Sequence, residues 1–296
     1  MGLLVENISK TFSEKKAVDN ISFKIDKPGL FALLGTNGAG KTTTIRMMLG
    51  IIKKDSGKIT WNGKEVDRKH VNFGYLPEER GIYPKTRIID QLLYFAKLKG
   101  MSSLEANKSI DYWLEKLKMT EYKYQLAEKL SKGNQQKIQF ITAVMHDPEL
   151  IVLDEPFSGL DPVNTDILKN VIFELVKKEK YIVMSSHQMN SIEELCEEIV
   201  ILDKGKMVLS GNLNNIKETY KTNKIEVITK DDISNLVEEN GLKIYSQDNK
   251  KYIISVENEI QANQLLKSFV DKELKIEKFE LVKPTLHEIF VEKVGE

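Results

Sequence analysis

A glycine-rich stretch near the start of the chain has the composition of a phosphate-binding loop. Its residues are Gly35, Thr36, Asn37, Gly38, Ala39, Gly40, Lys41, Thr42 and Thr43, which fit the pattern G-x-x-x-x-G-K-[ST]. Glycine lets the backbone approach a phosphate closely, and the N–H groups that begin a helix attract an anion. Lys41 can reach the β- and γ-phosphates of a nucleotide, and the Thr42 hydroxyl can hold Mg²⁺. The alternative is an ordinary glycine-rich turn.

Two carboxylates in sequence, Asp154 and Glu155, follow the apolar segment Leu150–Leu153. A carboxylate at the end of a buried strand can hold Mg²⁺ through water, which is the role predicted for Asp154. A carboxylate beside a γ-phosphate can accept a proton from the attacking water, which is the role predicted for Glu155. The alternative is a solvated strand end, which the phosphate loop upstream disfavours.

Three further side chains are candidates for nucleotide contact, and each also has a structural explanation. Phe12 precedes a polar turn, where its ring can stack on adenine; packing in the core is the interpretation that the sequence alone favours. Ser131 precedes an apolar-periodic segment and is a plausible N-cap. His187 follows the apolar segment Tyr181–Met184, and a histidine in that position is more often structural.

Strands and helices that alternate along the chain must position these residues. Leu30–Leu34 reads as a buried strand before the loop, and Ile45, Met48 and Leu49 then fall at helical spacing. Asn62 and Gly63 signal a hairpin turn. These patterns predict an α/β domain with a mainly parallel core sheet, antiparallel N-terminal strands and a helical insert.

The residues after about Tyr220 have a different pattern. Their order of elements, β-α-β-β-α-β, predicts a small ferredoxin-like α+β domain, in which Pro284 would occupy the first position of the last helix. We therefore expect an ATPase-like domain over residues 1–220, with a helical subdomain at about 84–148, and an accessory domain over residues 221–296.

Composition excludes several classes of protein. The 296 residues include 44 basic and 44 acidic side chains, so the formal net charge is zero and no nucleic-acid partner is expected. Cys196 is the only cysteine, which rules out an intrachain disulfide. No apolar run reaches the roughly 18 residues of a membrane span, and the N-terminus does not read as a signal peptide.

An ordered set of motifs resembles the ATPase domains of ABC transporters over roughly residues 1–220. The motifs are Gly35–Thr42, Leu130–Gln135, Leu153–Pro156, Ser158–Asp161 and His187. The C-terminal piece resembles the extra domain on ATPases of ABC-2-type exporters. The stretch Tyr75–Gly81 is similar to the sodium-extrusion (NatA-like) branch of that group.

The resemblance implies ATP and Mg²⁺ as ligands and a head-to-tail dimer that forms with ATP. In such a dimer, Ser131 and the N–H group of Gly133 would contact the γ-phosphate bound to the other subunit. Asp161 would organise the dimer seam. His187 would contact the γ-phosphate and steady the attacking water, with Glu155 as the base.

Two motifs depart from the family pattern. The signature usually reads Leu-Ser-Gly-Gly-Gln, whereas Lys132 and Asn134 replace its first glycine and its glutamine here. Glu78 stands where the family usually has a glutamine that senses Mg²⁺, so Glu78 is a candidate metal contact or part of a solvated loop.

The resulting hypothesis is the ATP-hydrolysing subunit of an ABC exporter that works with a separate membrane-spanning permease. It would lie in the cytoplasm, on the inner face of the cell membrane, and the transported substrate (sodium, a peptide or a drug) stays open. One alternative is a soluble ABC ATPase that acts on a ribosome or DNA. Another is a nucleotide sensor that does not hydrolyse, which Glu155 and His187 argue against.

Overall fold

The computed structural model describes residues 2–66, 72–79, 81–220 and 224–295. Val71, where a strand was predicted to begin, and Arg80, in the loop after that strand, lie outside these ranges. Backbone contacts divide the chain into two compact units, Met1–Asn212 and Leu213–Glu296. The predicted domain boundary after residue 220 falls within the second unit.

The first unit contains ten strands and six α-helices among its described residues. The strands are β1 (Leu3–Phe12), β2 (Lys15–Ile25), β3 (Gly29–Gly35), β4 (Ser56–Trp61), β5 (Lys64–Glu65), β6 (Phe73–Leu76), β7 (Leu150–Asp154), β8 (Tyr181–Ser186), β9 (Glu198–Asp203) and β10 (Lys206–Asn212). The helices are α1 (Lys41–Met48), α2 (Ile88–Leu98), α3 (Ser103–Lys116), α4 (Lys132–Val144), α5 (Pro162–Lys177) and α6 (Met189–Glu193).

The central sheet has the strand order β10-β9-β3-β8-β7-β6. All its pairings are parallel except that of β9 with β10. Strands β7 and β8 are buried along almost their whole length, which explains their continuous apolar sequence. Because β3, β7 and β8 run in the same direction, the residues that follow them meet at one edge of the sheet.

A second, antiparallel sheet has the order β2-β1-β4-β5. Strands β4 and β5 are joined at Asn62 and Gly63, whose φ angles of 50° and 80° are those of the predicted hairpin turn. Phe23 of β2 stacks on Phe31 of β3 with ring centroids 5.3 Å apart. A shared core that includes Ile45 of α1 therefore joins the two sheets and fixes the helix that follows the phosphate loop.

The helical insert consists of α2, α3, two single-turn 3₁₀ helices and the start of α4. Ser102 and Glu105 form a capping box at the start of α3, so this helix begins where a local sequence signal places it. Trp113 of α3 packs against Phe140 of α4, with ring centroids 6.3 Å apart. Within the described ranges, every helix is too short or too polar to cross a bilayer.

The second unit has elements in the order β-α-β-β-α-β, with one further helix before them and one after them. Its elements are α7 (Leu213–Thr219), β11 (Lys224–Thr229), α8 (Ser234–Glu239), β12 (Lys243–Asp248), β13 (Lys251–Ser255), α9 (Glu259–Asp271), β14 (Ile276–Val282) and α10 (Leu286–Gly295). The strand order is β12-β13-β11-β14, with antiparallel pairings throughout. This interleaved order is that of two split β-α-β units.

The start of the last helix differs from the prediction. Thr285 and Glu288 exchange hydrogen bonds, each side chain accepting from the other residue's N–H group at 3.2 Å and 2.9 Å. This capping box makes Thr285 the N-cap, so Pro284 precedes the cap. The prediction that Pro284 occupies the first helical position was wrong because the Thr-x-x-Glu signal next to it is the stronger local determinant.

Candidate nucleotide site

The phosphate loop crosses from β3 into α1 along a path that only glycine permits. Gly35 and Gly40 have φ angles of 147° and 103°. A Cβ atom would lie 2.3 Å from the Leu202 carbonyl oxygen at Gly35, and 2.6 Å from that of Ala17 at Gly40. Helix α1 begins after Gly40 without a side-chain cap and without an acidic residue in its first turn. The N–H groups of that turn are therefore available to an anion.

Lys41 lies under this loop and is only 6% exposed. Its Nζ atom donates hydrogen bonds to the carbonyl oxygens of Gly35, at 2.8 Å, and Thr36, at 3.2 Å. The same atom lies 3.7 Å from Glu155 Oε1. The ammonium group is thus held at the loop, beside the predicted catalytic carboxylate. Gly35 and Ala39 are also buried, and the remaining loop residues that were predicted to contact nucleotide are exposed or half-buried: Thr36, Asn37, Gly38, Gly40, Thr42 and Thr43.

The Asp154–Glu155 pair is buried, with exposed fractions of 0% and 7%. The alternative of a solvated strand end is therefore wrong. His187 follows β8 on the neighbouring strand, and its Nδ1 atom lies 2.9 Å from Glu155 Oε1. Oε1 lies close to His187 and Lys41 but accepts no aligned hydrogen bond from the described residues. The carboxylate remains able to accept a proton from a bound water.

Ser185 links the two carboxylate residues, although it belongs to none of the motifs. Its Oγ atom donates to Asp154 Oδ1 at 2.5 Å and accepts from the Glu155 N–H group at 3.1 Å. The link exists because β7 and β8 pair with Asp154 opposite Ser185. The sequence does place a hydroxyl at the end of β8. Its role can be recognised only when β8 is known to pair with β7, which ends in Asp154.

The donor set at this edge of the sheet fits a magnesium ion. Asp154 Oδ2 is buried and has no hydrogen-bond partner among the described residues. Thr42, half-buried in the first turn of α1, offers a hydroxyl oxygen. Carboxylate and hydroxyl oxygens, completed by phosphate and water, are the ligands that Mg²⁺ takes in nucleotide sites.

Glu78 lies in the loop after β6, which pairs with β7, and its side chain is exposed. Burial raises the pKa of the Tyr75 phenol, and the negative charges of Asp154 and, more weakly, Glu78 raise it further. Both carboxylates therefore act on the same phenol group. The predicted metal contact of Glu78 stays a prediction, as does its alternative of a solvated loop.

Ser131, Gly133 and Asp161 form a second group, at the beginnings of α4 and α5. Ser131 is the N-cap of α4, and its exposed side chain accepts from the Asn134 N–H group at 3.2 Å. Gly133 is buried, and a Cβ on it would lie 3.2 Å from Leu160 and 3.6 Å from the Asn164 amide. Asp161 caps α5 and accepts from the Asn164 N–H group at 2.9 Å. Gly133 and Asp161 thus share Asn164 as a neighbour.

Phe12 closes β1 with 45% of its surface exposed. The favoured interpretation, packing in the core, was therefore wrong: strand β1 extends to the rim of its sheet before the turn. Lys10 Nζ lies 5.4 Å from the centre of the ring. The exposed face suits an aromatic ligand, and adenine stacking stays a prediction.

Comparisons with known proteins agree with this geometry. A family model described as "ABC transporter" matches residues 18–158, and one described as "ATP-binding protein DrrA1-3-like, C-terminal domain" matches residues 211–294. A solved "ATP binding subunit of ABC transporter" is similar with a TM-score of 0.68 at 28% identity, over 74% of this chain and 93% of that chain.

Two bacterial relatives match nearly end to end. The uncharacterized ABC transporter ATP-binding protein YhaQ of Bacillus subtilis is 46% identical over 294 residues, 99% of this chain and 98% of its own. The linearmycin resistance ATP-binding protein LnrL of the same species is 30% identical over 305 aligned positions, 99% of this chain and 98% of its own. The resemblance stated from the motifs is confirmed: this chain belongs to the ABC transporter ATP-binding protein family and is an ATPase.

Proposed function

We propose that this chain binds ATP with Mg²⁺, dimerises head to tail and drives export through a separate membrane-spanning permease, on the cytoplasmic face of the membrane. The observation that carries the proposal is the buried Glu155 carboxylate, with Oε1 3.7 Å from Lys41 Nζ and 2.9 Å from His187 Nδ1. A carboxylate held next to the phosphate-binding lysine is placed to accept a proton from water that attacks the terminal phosphate.

Each residue of the site has its own role in hydrolysis. The loop N–H groups and Lys41 bind and orient the phosphates. Asp154 and Thr42 would hold Mg²⁺, which neutralises phosphate charge when it is bound. Glu155 accepts the proton of the attacking water, because its Oε1 is buried without an aligned donor. His187, 40% exposed on its side chain, orients the water and the carboxylate from the solvent side.

The surface of α4 supports the head-to-tail dimer. Ser131 is exposed at the helix N-terminus, where its hydroxyl and the free N–H groups suit an anion. Lys132, also exposed, adds positive charge at the position where the family has glycine. A γ-phosphate bound by another copy of the chain is the anion that this terminus fits.

An exposed aromatic face on the helical insert supports a separate partner. Tyr83 and Tyr94 are 50% and 51% exposed, and both contact the ring of Phe95; Leu98, at the end of α2, is 65% exposed. Large exposed apolar side chains that cluster in this way mark interaction surfaces. We assign this face to a cytoplasmic helix of the permease. A relative named for linearmycin resistance supports export as the direction of transport.

Replacement of the base tests the proposal. Glu155→Gln removes the proton acceptor and keeps the side-chain size, so turnover should fall by about 10²–10⁴ while ATP binding persists. We expect ATP with Mg²⁺ to double the solution mass of this variant in size-exclusion chromatography with light scattering. Glu121→Gln, at an exposed position in the helical insert, is the matched control. Parent-like hydrolysis by Glu155→Gln, or a mass that never changes, would contradict the proposal.

A further inference from the structure

Helix α4 carries two glutamines on one face, Gln136 and Gln139, a spacing that places side chains one turn apart. Both are 3% exposed. Buried amides need hydrogen-bond partners, and in both cases the described partners of the amide nitrogen are backbone carbonyls outside the helix. Nothing in the phosphate-loop chemistry described above uses either side chain.

Gln139 holds the loop that contains Glu78. Its Nε2 atom donates to the carbonyl oxygens of Pro77, at 3.3 Å, and Glu79, at 2.9 Å. These carbonyls flank Glu78 on both sides. The amide orientation is fixed by the contacts, because the opposite orientation would place an oxygen against two carbonyl oxygens. One side chain thus sets the position of this three-residue loop.

Gln136 contacts the loop that follows β7 and contains Glu155. Its Nε2 atom donates to the carbonyl oxygen of Pro156 at 3.3 Å, and Pro156 directly follows Glu155. The contact adds to the hydrogen bond between the Glu155 N–H group and Ser185. Hydrogen bonds therefore connect the backbone on one side of Glu155 to β8 and the backbone on the other side to α4.

We propose that Gln136 and Gln139 are positioning residues that couple the two nucleotides of the dimer. Helix α4 begins at Ser131, which faces the neighbour's γ-phosphate in the proposed dimer, and one to two turns later it holds the loops of Glu155 and Glu78. A shift of α4 on contact with the neighbour's ATP moves both loops of its own site. The inference rests on the proposed head-to-tail dimer.

Methionine variants test the coupling, because methionine keeps the length of glutamine and lacks its donor. In Gln139→Met and Gln136→Met we expect kcat for ATP to fall about tenfold or more and the Hill coefficient for ATP to approach one. Affinity for ADP should stay at the parent value, because the phosphate loop is unchanged.

The matched control is Gln91→Met in α2. Gln91 is also buried, at 1% exposure, and also bonds a loop, donating to the Thr86 carbonyl at 3.3 Å and accepting from the Tyr83 N–H group at 3.2 Å. It should lose thermal stability to a similar degree and retain the parent kcat and Hill coefficient. If kcat and the Hill coefficient fell equally in Gln91→Met, the two α4 glutamines would have only a packing role, and the inference would be overturned.

A dimerisation assay separates this inference from the proposed function. In the Glu155→Gln background, adding Gln139→Met should raise the ATP concentration that produces half-maximal dimer at least threefold. If Glu155→Gln alone never dimerises, the proposed function fails. The coupling role alone fails under a different outcome. Glu155→Gln would dimerise, Gln139→Met would leave its dimer titration unchanged, and Gln139→Met on the parent background would leave kcat and the Hill coefficient unchanged.

Discussion

Asp154 and Ser185 are joined by a 2.5 Å hydrogen bond between buried side chains at the ends of neighbouring parallel strands. The bond occupies Asp154 Oδ1 and leaves Oδ2 without a partner among the described residues. The Asp154 carboxylate is thus oriented so that Oδ1 bonds Ser185 and Oδ2 is available to the proposed metal.

Ser185→Ala should weaken both stability and turnover. The substitution leaves Asp154 Oδ1 and the Glu155 N–H group unpaired, which costs about 1–3 kcal/mol of unfolding free energy. We expect kcat to fall about tenfold or more because the catalytic carboxylate loses its anchor. Ser109→Ala is the control, since the Ser109 hydroxyl donates a hydrogen bond to the Met145 carbonyl, outside the site. Steady-state kinetics and urea titrations measure both effects, and equal kcat in the two variants would contradict the assigned role.

Lys41→Ala should remove most of the ATP affinity. The ammonium group bonds two loop carbonyls and faces Glu155, and loss of a charged hydrogen bond to phosphate costs about 2–3 kcal/mol, about 30- to 150-fold in Kd. Calorimetric titration with ATP measures the change. Lys108→Ala, at an exposed position of α3, is the comparison, and unchanged affinity in Lys41→Ala would refute the loop assignment.

Phe12→Ala should weaken ATP binding without a loss of fold. The ring is 45% exposed, so its removal leaves no core cavity, whereas a lost base stack costs about 1–3 kcal/mol. Phe12→Tyr should bind as the parent does. Tyr124→Ala, at a side chain that is 67% exposed in the helical insert, should have no effect. Equal ATP affinity in Phe12→Ala and the parent would remove Phe12 from the site.

His146 should make the protein less stable in acid. Burial, with the nearby Lys99 charge, lowers the pKa of His146 from 6.5 to about 4. The unfolded chain therefore binds this proton more readily than the folded protein, and the free energy of unfolding falls as the pH drops through this range. Between about pH 7.5 and pH 5 the loss is at most about 2 kcal/mol, reduced to about 1 kcal/mol by solvent screening of the partly exposed ring. Urea midpoints of the parent and His146→Gln should converge in acid; a constant difference would contradict the assignment.

Local sequence signals predicted the parts of the site that depend on one segment. The loop from Gly35 to Thr43 and the cap at Ser131 each fold from residues that are neighbours in sequence, so their patterns could be read directly. The roles of Ser185 and Gln139 could not be read directly from the sequence. Ser185 lies 31 residues from Asp154 along the chain, and Gln139 lies 60 residues from Glu79. Their roles depend on the order of β6, β7 and β8, which no single segment specifies.

The same distinction explains the predictions that were wrong. Phe12 reads as a core residue because phenylalanine is most often buried, and only the length of the strand places it at the rim. Pro284 favours the first turn of a helix, yet the capping box of Thr285 and Glu288 sets the boundary. In both cases the residue type was read correctly and its position relative to the end of the element was not.

The backbone at Glu155 has a φ of 52°, a left-handed conformation that a side chain other than glycine adopts at a cost of about 1–3 kcal/mol. Glycine here would relieve this strain, but it would also leave the buried Lys41 ammonium without the carboxylate that lies 3.7 Å away. The strained backbone is thus the cost of holding a carboxylate at this position of the enzyme.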